Sequence, residues 1–163
     1  MNYPFPSTRT LYRRCNSILD FQPGILEDSF HLLKIKSEKF PKGHNDAVLA
    51  IDEMSIKAKI EYDRRSKTLS GEATIPPNPN QKNRKRVKEE TEGAPCIATK
   101  GLVFMYAGTK SRWKHVVAYH LTADSIDASV YVDIIKEVIL KASAIGINTV
   151  ALSTDMGSSN LAA

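Results

Sequence analysis

Cysteine is nearly missing from this chain, with two in 163 residues, Cys15 and Cys96. They stand far apart with no metal-spaced partners, which excludes a zinc module and a disulfide scaffold and leaves a reducing, intracellular setting as the default. No apolar run approaches the roughly 18 residues of a membrane span, so no membrane partner is expected. The N-terminus, MNYPFPSTRTLYRRCNS, carries charge with no apolar stretch behind it and does not read as a secretory signal. Acidic residues are outnumbered, 18 against 23 basic ones, for a net charge of +5. That permits a polyanionic partner without establishing one, because much of the excess sits in one short run. What is present suffices for a single domain with a real core: 42% of residues are hydrophobic.

Residues 1–42 read as a short helical region. Ser7 is placed to cap a helix that carries Leu11, Ile18 and Leu19, with Arg9, Arg13 and Arg14 on other faces. QPGI (Gln22–Ile25) breaks it, and Leu26–Phe40 resumes a helical period. The two helices are either helix-turn-helix-like or a helical pair packing on the next domain, and spacing alone favours the second. From residue 43 onward the pattern changes. AVLAID (Ala47–Asp52) is a short, nearly continuous apolar run, as in a strand covered on both faces. Ala58–Ile75 holds a hairpin around DRRSKTLSG. Residues 76–93 have no apolar period and read as a mobile, basic insert. Gly101–Thr122 is a second hairpin turning at GTKSR. Val130, Ile134, Ile135, Val138, Ile139, Ala142 and Ile145 mark an amphipathic helix, with Asp124, Ser125 or Asp127 to cap its start and Gly146 its end. INTVALST (Ile147–Thr154) is then a strand, parallel to an earlier one because a helix connects them.

Strand, hairpin, hairpin, helix, strand is the order of the opening half of a ribonuclease H-like fold: an α/β unit of three antiparallel strands, a crossover helix and a parallel fourth strand. Its first and fourth strands are neighbours. Asp52 ends one and Asp155 ends the other, so their carboxylates are expected within roughly 4–7 Å of each other, near enough to share metal ions. Two carboxylates supply charge to Mg²⁺ without filling its octahedral shell. Either aspartate alone is as readily a turn residue or a helix cap. Together, in this topology, they favour a metal. Ending at the fourth strand, such a sheet is also expected to leave Val103, Val117, Val150 and Leu152 on an uncovered face and to self-associate.

PFPSTRTLYRRCNSILDFQPGIL, VLAIDEMSIKAKIEYD, KGLVFMYAGTKSRWKHVVAYHLT and IGINTVALSTDMGSSN resemble consecutive blocks of the P-element transposase family, including its THAP-domain relatives. The likeness runs nearly the whole chain, and DEM and DMG..N stand at matching places inside matched flanks. It implies cut-and-paste DNA transposition with Mg²⁺ or Mn²⁺, transposon-end DNA as partner, Asp52 as first catalytic carboxylate and Asp155 as second. The family also implies an N-terminal zinc-coordinating domain, a GTP-binding region after the second aspartate and a third acid beyond it. None is expected within these residues: two unclustered cysteines cannot build the first, and the other two would lie beyond Ala163. The expectation is a transposase fragment, inactive by itself, acting with the remainder of a transposase. The alternative is a domesticated DNA- or protein-binding module without catalysis.

NRKRVK (Asn83–Lys88) carries Arg84, Lys85, Arg86 and Lys88. Three readings stand for it: a solvated loop balanced by Glu89, Glu90 and Glu92, a nuclear import signal, or contact with DNA phosphates. With Arg9, Arg13 and Arg14 these are the candidate DNA contacts. Trp113 and Tyr119 read as packing residues. His115 and His120, at an odd offset along one strand, are expected on opposite faces. Glu53 should point away from Asp52, and Lys100 and Lys114 could approach a phosphate, though nothing in the sequence singles them out.

Overall fold

The computed structural model of the chain describes residues 6–18, 21–64, 67–75, 96–123 and 126–154. The elements in chain order are α1 (Thr8–Ile18), β1 (Gly24–Ile25), α2 (Glu27–Ser37), β2 (Asp46–Ser55), β3 (Glu61–Asp63), β4 (Thr68–Ser70), β5 (Lys100–Gly108), β6 (Lys114–Thr122), α3 (Ala128–Ala144) and β7 (Asn148–Thr154). Five strands form one mixed sheet in the order β1-β6-β5-β2-β7. β2, β5 and β6 are antiparallel neighbours. α3 carries the chain back so that β7 runs parallel to β2, as a strand–helix–strand crossover requires. β3 and β4, the first hairpin, form a two-stranded ribbon of their own.

Alternation along the strands decides which face is covered. Ala47, Leu49 and Ile51 of β2 are buried, and their cross-strand partners include Tyr106 and Phe104 of β5, both fully buried. α2 lays Phe30 and Leu33 on this face and α3 lays Tyr131, Val138 and Ala142 there, completing one apolar core. Two contacts tie the helices side by side: Lys141 Nζ pairs with Glu27 Oε1 at 2.5 Å, and Ser37 Oγ donates to the Ile145 carbonyl at 3.2 Å. α2 is therefore part of the sheet's own core.

The helix ends follow from local chemistry. Ser7 Oγ accepts from the Thr10 amide at 3.3 Å, capping α1. Asp127 caps α3 by accepting from the Ser129 amide at 2.9 Å. At the other end Gly146 takes φ +81°. The Gly146 amide donates to Ser143 and the Ile147 amide to Ala142, both at 3.0 Å, a paired closure that needs a left-handed residue. Gly24, in a stretch whose sequence reads as a break between two helices, instead pairs with Tyr119, and Ile25 with Ala118, so the break is an edge strand of the sheet.

β6 departs from the expected alternation. Phe104 pairs with Ala118 but Met105 pairs with Val116, leaving Val117 as an extra residue in a β-bulge. The bulge converts an odd offset into an even one. His115 is opposite Tyr106 and His120 opposite Leu102, so both imidazoles lie on the helix-covered face rather than on opposite faces. They meet different surroundings: His115 Nε2 is 2.9 Å from the Ser29 carbonyl of α2, and the His120 ring packs edge-on against Phe104. The expectation for uncovered valines also needs revising. Val117 is fully buried, Val103 is half-buried, and Val150 and Leu152 are 51% and 49% exposed.

Candidate active site

β2 positions Asp52. Three buried alternate residues anchor the strand, and beyond Ile51 it runs out of the core, so that Asp52–Ser55 are exposed. Asp52 pairs with Val103 of β5 and lies on the face away from α2 and α3. Its Oδ1 accepts from the Glu53 amide at 2.9 Å. Among the described residues it makes no ion pair, so a carboxylate oxygen remains open to solvent.

Glu53 turns to the other face, as alternation requires, and its Oε2 accepts from Lys100 Nζ at 3.0 Å. Both side chains are about a third exposed, so the pair is worth little in stability. Its consequence is electrostatic: the glutamate balances Lys100 on the face opposite Asp52. The sequence pattern does not single out this pair. The only signal is the hairpin register, which sets Lys100 opposite Ser55, diagonal to Glu53.

The parallel strand brings its own end to the same edge. Thr154 of β7 is in register with Ile51, the residue before Asp52. Asp155 follows Thr154 in sequence and lies outside the described residues, as do Arg84, Lys85, Arg86 and Lys88. Arg9, Arg13 and Arg14 are exposed on α1. Among the described residues no three His, Cys, Asp or Glu side chains gather into a metal-sized group. Asp52 fits one part of a hard-cation site: an exposed carboxylate on β2, three residues before the strand ends, with one oxygen unengaged among the described residues. A second oxygen donor is needed to fix an ion.

A family model described as "TNP-like, RNase H N-terminal domain" matches residues 21–163. The chain belongs to that family. Its fold is also that of a solved structure, the Drosophila P element transposase strand transfer complex, with a TM-score of 0.66 and 22% identity. The match covers 96% of this chain and 28% of that one. No curated protein matches the chain. The resemblance drawn from DEM and DMG..N is met by a TNP-like, RNase H N-terminal family and by the fold of a P element transposase.

Beneath this edge lies a buried polar group of consequence for pH. His120 Nε2, Thr122 Oγ1 and Tyr131 Oη are buried with no hydrogen-bond partner among the described residues. Burial pushes the His120 pKa down, partly opposed by Glu137. Burial also lowers His115, with Lys36 adding to it and the Ser29 carbonyl opposing. A folded-state pKa below the unfolded value means that the unfolded chain binds more protons as pH falls through about 6.5. Stability is therefore expected to be full above that value and to decline below it, until the folded-state pKa values are passed. Thermal melts between pH 7.5 and 5 check this. A His120→Gln variant should show a shallower decline, and an unchanged slope would remove His120 as its source.

Proposed function

We propose that Asp52 and Asp155 form the first two carboxylates of a divalent-metal site for phosphodiester cleavage and strand transfer in a P-element-like transposase. The observation that carries this reading is the parallel register of β2 and β7, in which Ile51 and Thr154 are partners one residue before each aspartate. Mg²⁺ or Mn²⁺ held there would activate the attacking oxygen and stabilise the leaving one. The chain's own residues do the positioning. The Glu53 amide orients Asp52, while the Glu53 side chain is engaged by Lys100 on the opposite face.

The chain spans 28% of the transposase chain it matches, so the activity of the whole is a proposal for this segment acting with further parts. DNA is the proposed partner, and the solved relative is itself a strand transfer complex. A nuclear location, with Arg84–Lys88 as import signal, would bring the chain to that partner. The test is labelled transposon-end DNA with Mg²⁺ or Mn²⁺, beside an Asp52→Ala, Asp155→Ala double variant. Expected are weak, salt-sensitive DNA binding, Mn²⁺ binding that the double variant lacks, and no strand cleavage by these 163 residues. Wild-type protein that takes up no Mn²⁺ at millimolar concentration would sink the reading.

Self-association is proposed through the outer edge of the sheet. Among the described residues β7 is the last strand in the order, and it exposes Val150 and Leu152. An exposed strand edge with apolar side chains is a template for pairing. Sedimentation should show concentration-dependent association that Leu152→Lys reduces. A monomer at all concentrations would contradict it.

A further inference from the structure

The end of the sheet farthest from Asp52 carries the other concentrated chemistry of the molecule. Here β5 turns into β6 through Gly108–Trp113. Burial alternates through the turn: Ser111 is half-buried and Trp113 is 5% exposed, while Lys110, Arg112 and Lys114 are exposed. Trp113 is the anchor. It stacks on Phe40 with ring centroids 5.3 Å apart, and Lys36 Nζ sits 5.7 Å from its centroid. Gly108 permits this closeness, since a Cβ there would lie 2.2 Å from Trp113 Nε1. Ser111 Oγ and His44 Nδ1 share a hydrogen bond of 2.6 Å, and the Thr109 amide donates to the Asp46 carbonyl at 3.0 Å. The turn is thus fastened to the end of α2 and to the start of β2.

This fastening gathers positive charge without matching it. Lys110 pairs with Asp46 at 3.4 Å, and Asp46 is also held by Asn148 at 2.8 Å. Among the described residues Lys36, Arg112 and Lys114 have no ion pair. A cleft of about 660 Å³ opens on the turn, and no carboxylate lines it. Trp113 is among the residues lining the cleft, and its indole Nε1 is a buried donor with no partner among the described residues.

We propose that this tryptophan-anchored turn is a second nucleic-acid contact, gripping the phosphodiester backbone of duplex DNA through Lys36, Lys110, Arg112 and Lys114. Exposed cations spread over a rigid turn suit a repeating polyanion better than one small anion, which would need them to converge. An always-charged arginine flanked by lysines, set on a fixed scaffold, suits backbone contact without base readout. The contact stands apart from the catalytic edge. Gly108 pairs with Ala47, and the five residue steps of β2 from Ala47 to Asp52 span about 17 Å. It would hold the duplex at a distance from the reacting phosphate, and it requires no metal.

The experiment is fluorescence anisotropy of a labelled random-sequence duplex with the full chain, in EDTA, across 50–200 mM NaCl. EDTA separates this proposal from the metal reading, whose failure would show only in Mn²⁺ uptake. A Lys110→Ala, Arg112→Ala, Lys114→Ala variant is expected to lower the magnitude of the log K against log salt slope by roughly 2–3, and affinity at 50 mM by tenfold or more. The charge-preserving Lys110→Arg, Arg112→Lys, Lys114→Arg variant should restore both. A control that removes three cations elsewhere, Lys57→Ala, Lys59→Ala, Lys136→Ala, should change the slope by less than half as much. Equal losses in the two alanine triples would overturn the proposal, as would an unchanged slope in the first. Preference for a polyglutamate chain over the duplex would overturn it too, by assigning the turn to an acidic protein.

Discussion

Replacing Phe104 by alanine is expected to destabilise the fold by about 3–5 kcal/mol, the usual range for truncating a buried aromatic. Phe104 is fully buried on the central strand β5, between Ile51 of β2 and Ala118 of β6. Its ring meets His120 edge-on at 6.2 Å and Tyr131 of α3 at 6.5 Å. No neighbour is free to collapse into the space: the flanking strands are fixed by their ladders, and α3 is held by its caps. A domain of this size has only about 5–15 kcal/mol to lose. The variant should show a large fall in the urea midpoint with little change in slope. A loss below about 1 kcal/mol would mean that α3 does not pack on β5 as described.

The second large effect concerns metal affinity. Asp52→Asn keeps the shape of the side chain and removes its charge. The residue is exposed, so folding stability should change by less than about 0.5 kcal/mol. Losing even a residue that only supports a metal ligand costs about 10–100-fold in affinity, so loss of a ligand should do at least as much. Calorimetric titration with Mn²⁺ is expected to show a fall of at least tenfold, with an unchanged melting temperature. Equal affinity in the two proteins would show that the ion binds elsewhere.

These expectations separate what local sequence pattern conveys from what it does not. The apolar run of β2, the three- and four-residue period of α3 and the Gly146 cap are local, and each is readable along the chain. So is the parallel return of β7, because a helix between two strands leaves little choice. The bulge at Val117 is not readable: VVA is equally compatible with regular alternation, and only the pairing with Phe104 and Met105 shows the extra residue. That one residue decides where His115 points. Gly24–Ile25 is a strand because β6 offers it an edge, whereas its Pro-Gly sequence favours a turn. At the site, Asp52 is legible from its place after a buried run. The Lys100–Glu53 pair arises across strands and leaves no pattern along the chain. Trp113 reads as a packing residue, and it is one. Its role in fastening a basic turn depends on Phe40 and Lys36, brought to it by the fold.

The central claim is that the ends of β2 and β7 jointly hold a divalent ion, and paramagnetic broadening tests it most directly. Mn²⁺ is added in small steps to ¹⁵N-labelled protein, and amide signals are followed in wild type and in the Asp52→Ala variant. The account predicts that the amides of Ile51–Glu53 and of Ser153–Thr154 broaden first and together, and that the variant loses this selectivity. Broadening confined to one of the two strand ends, or an undiminished pattern in the variant, would contradict it.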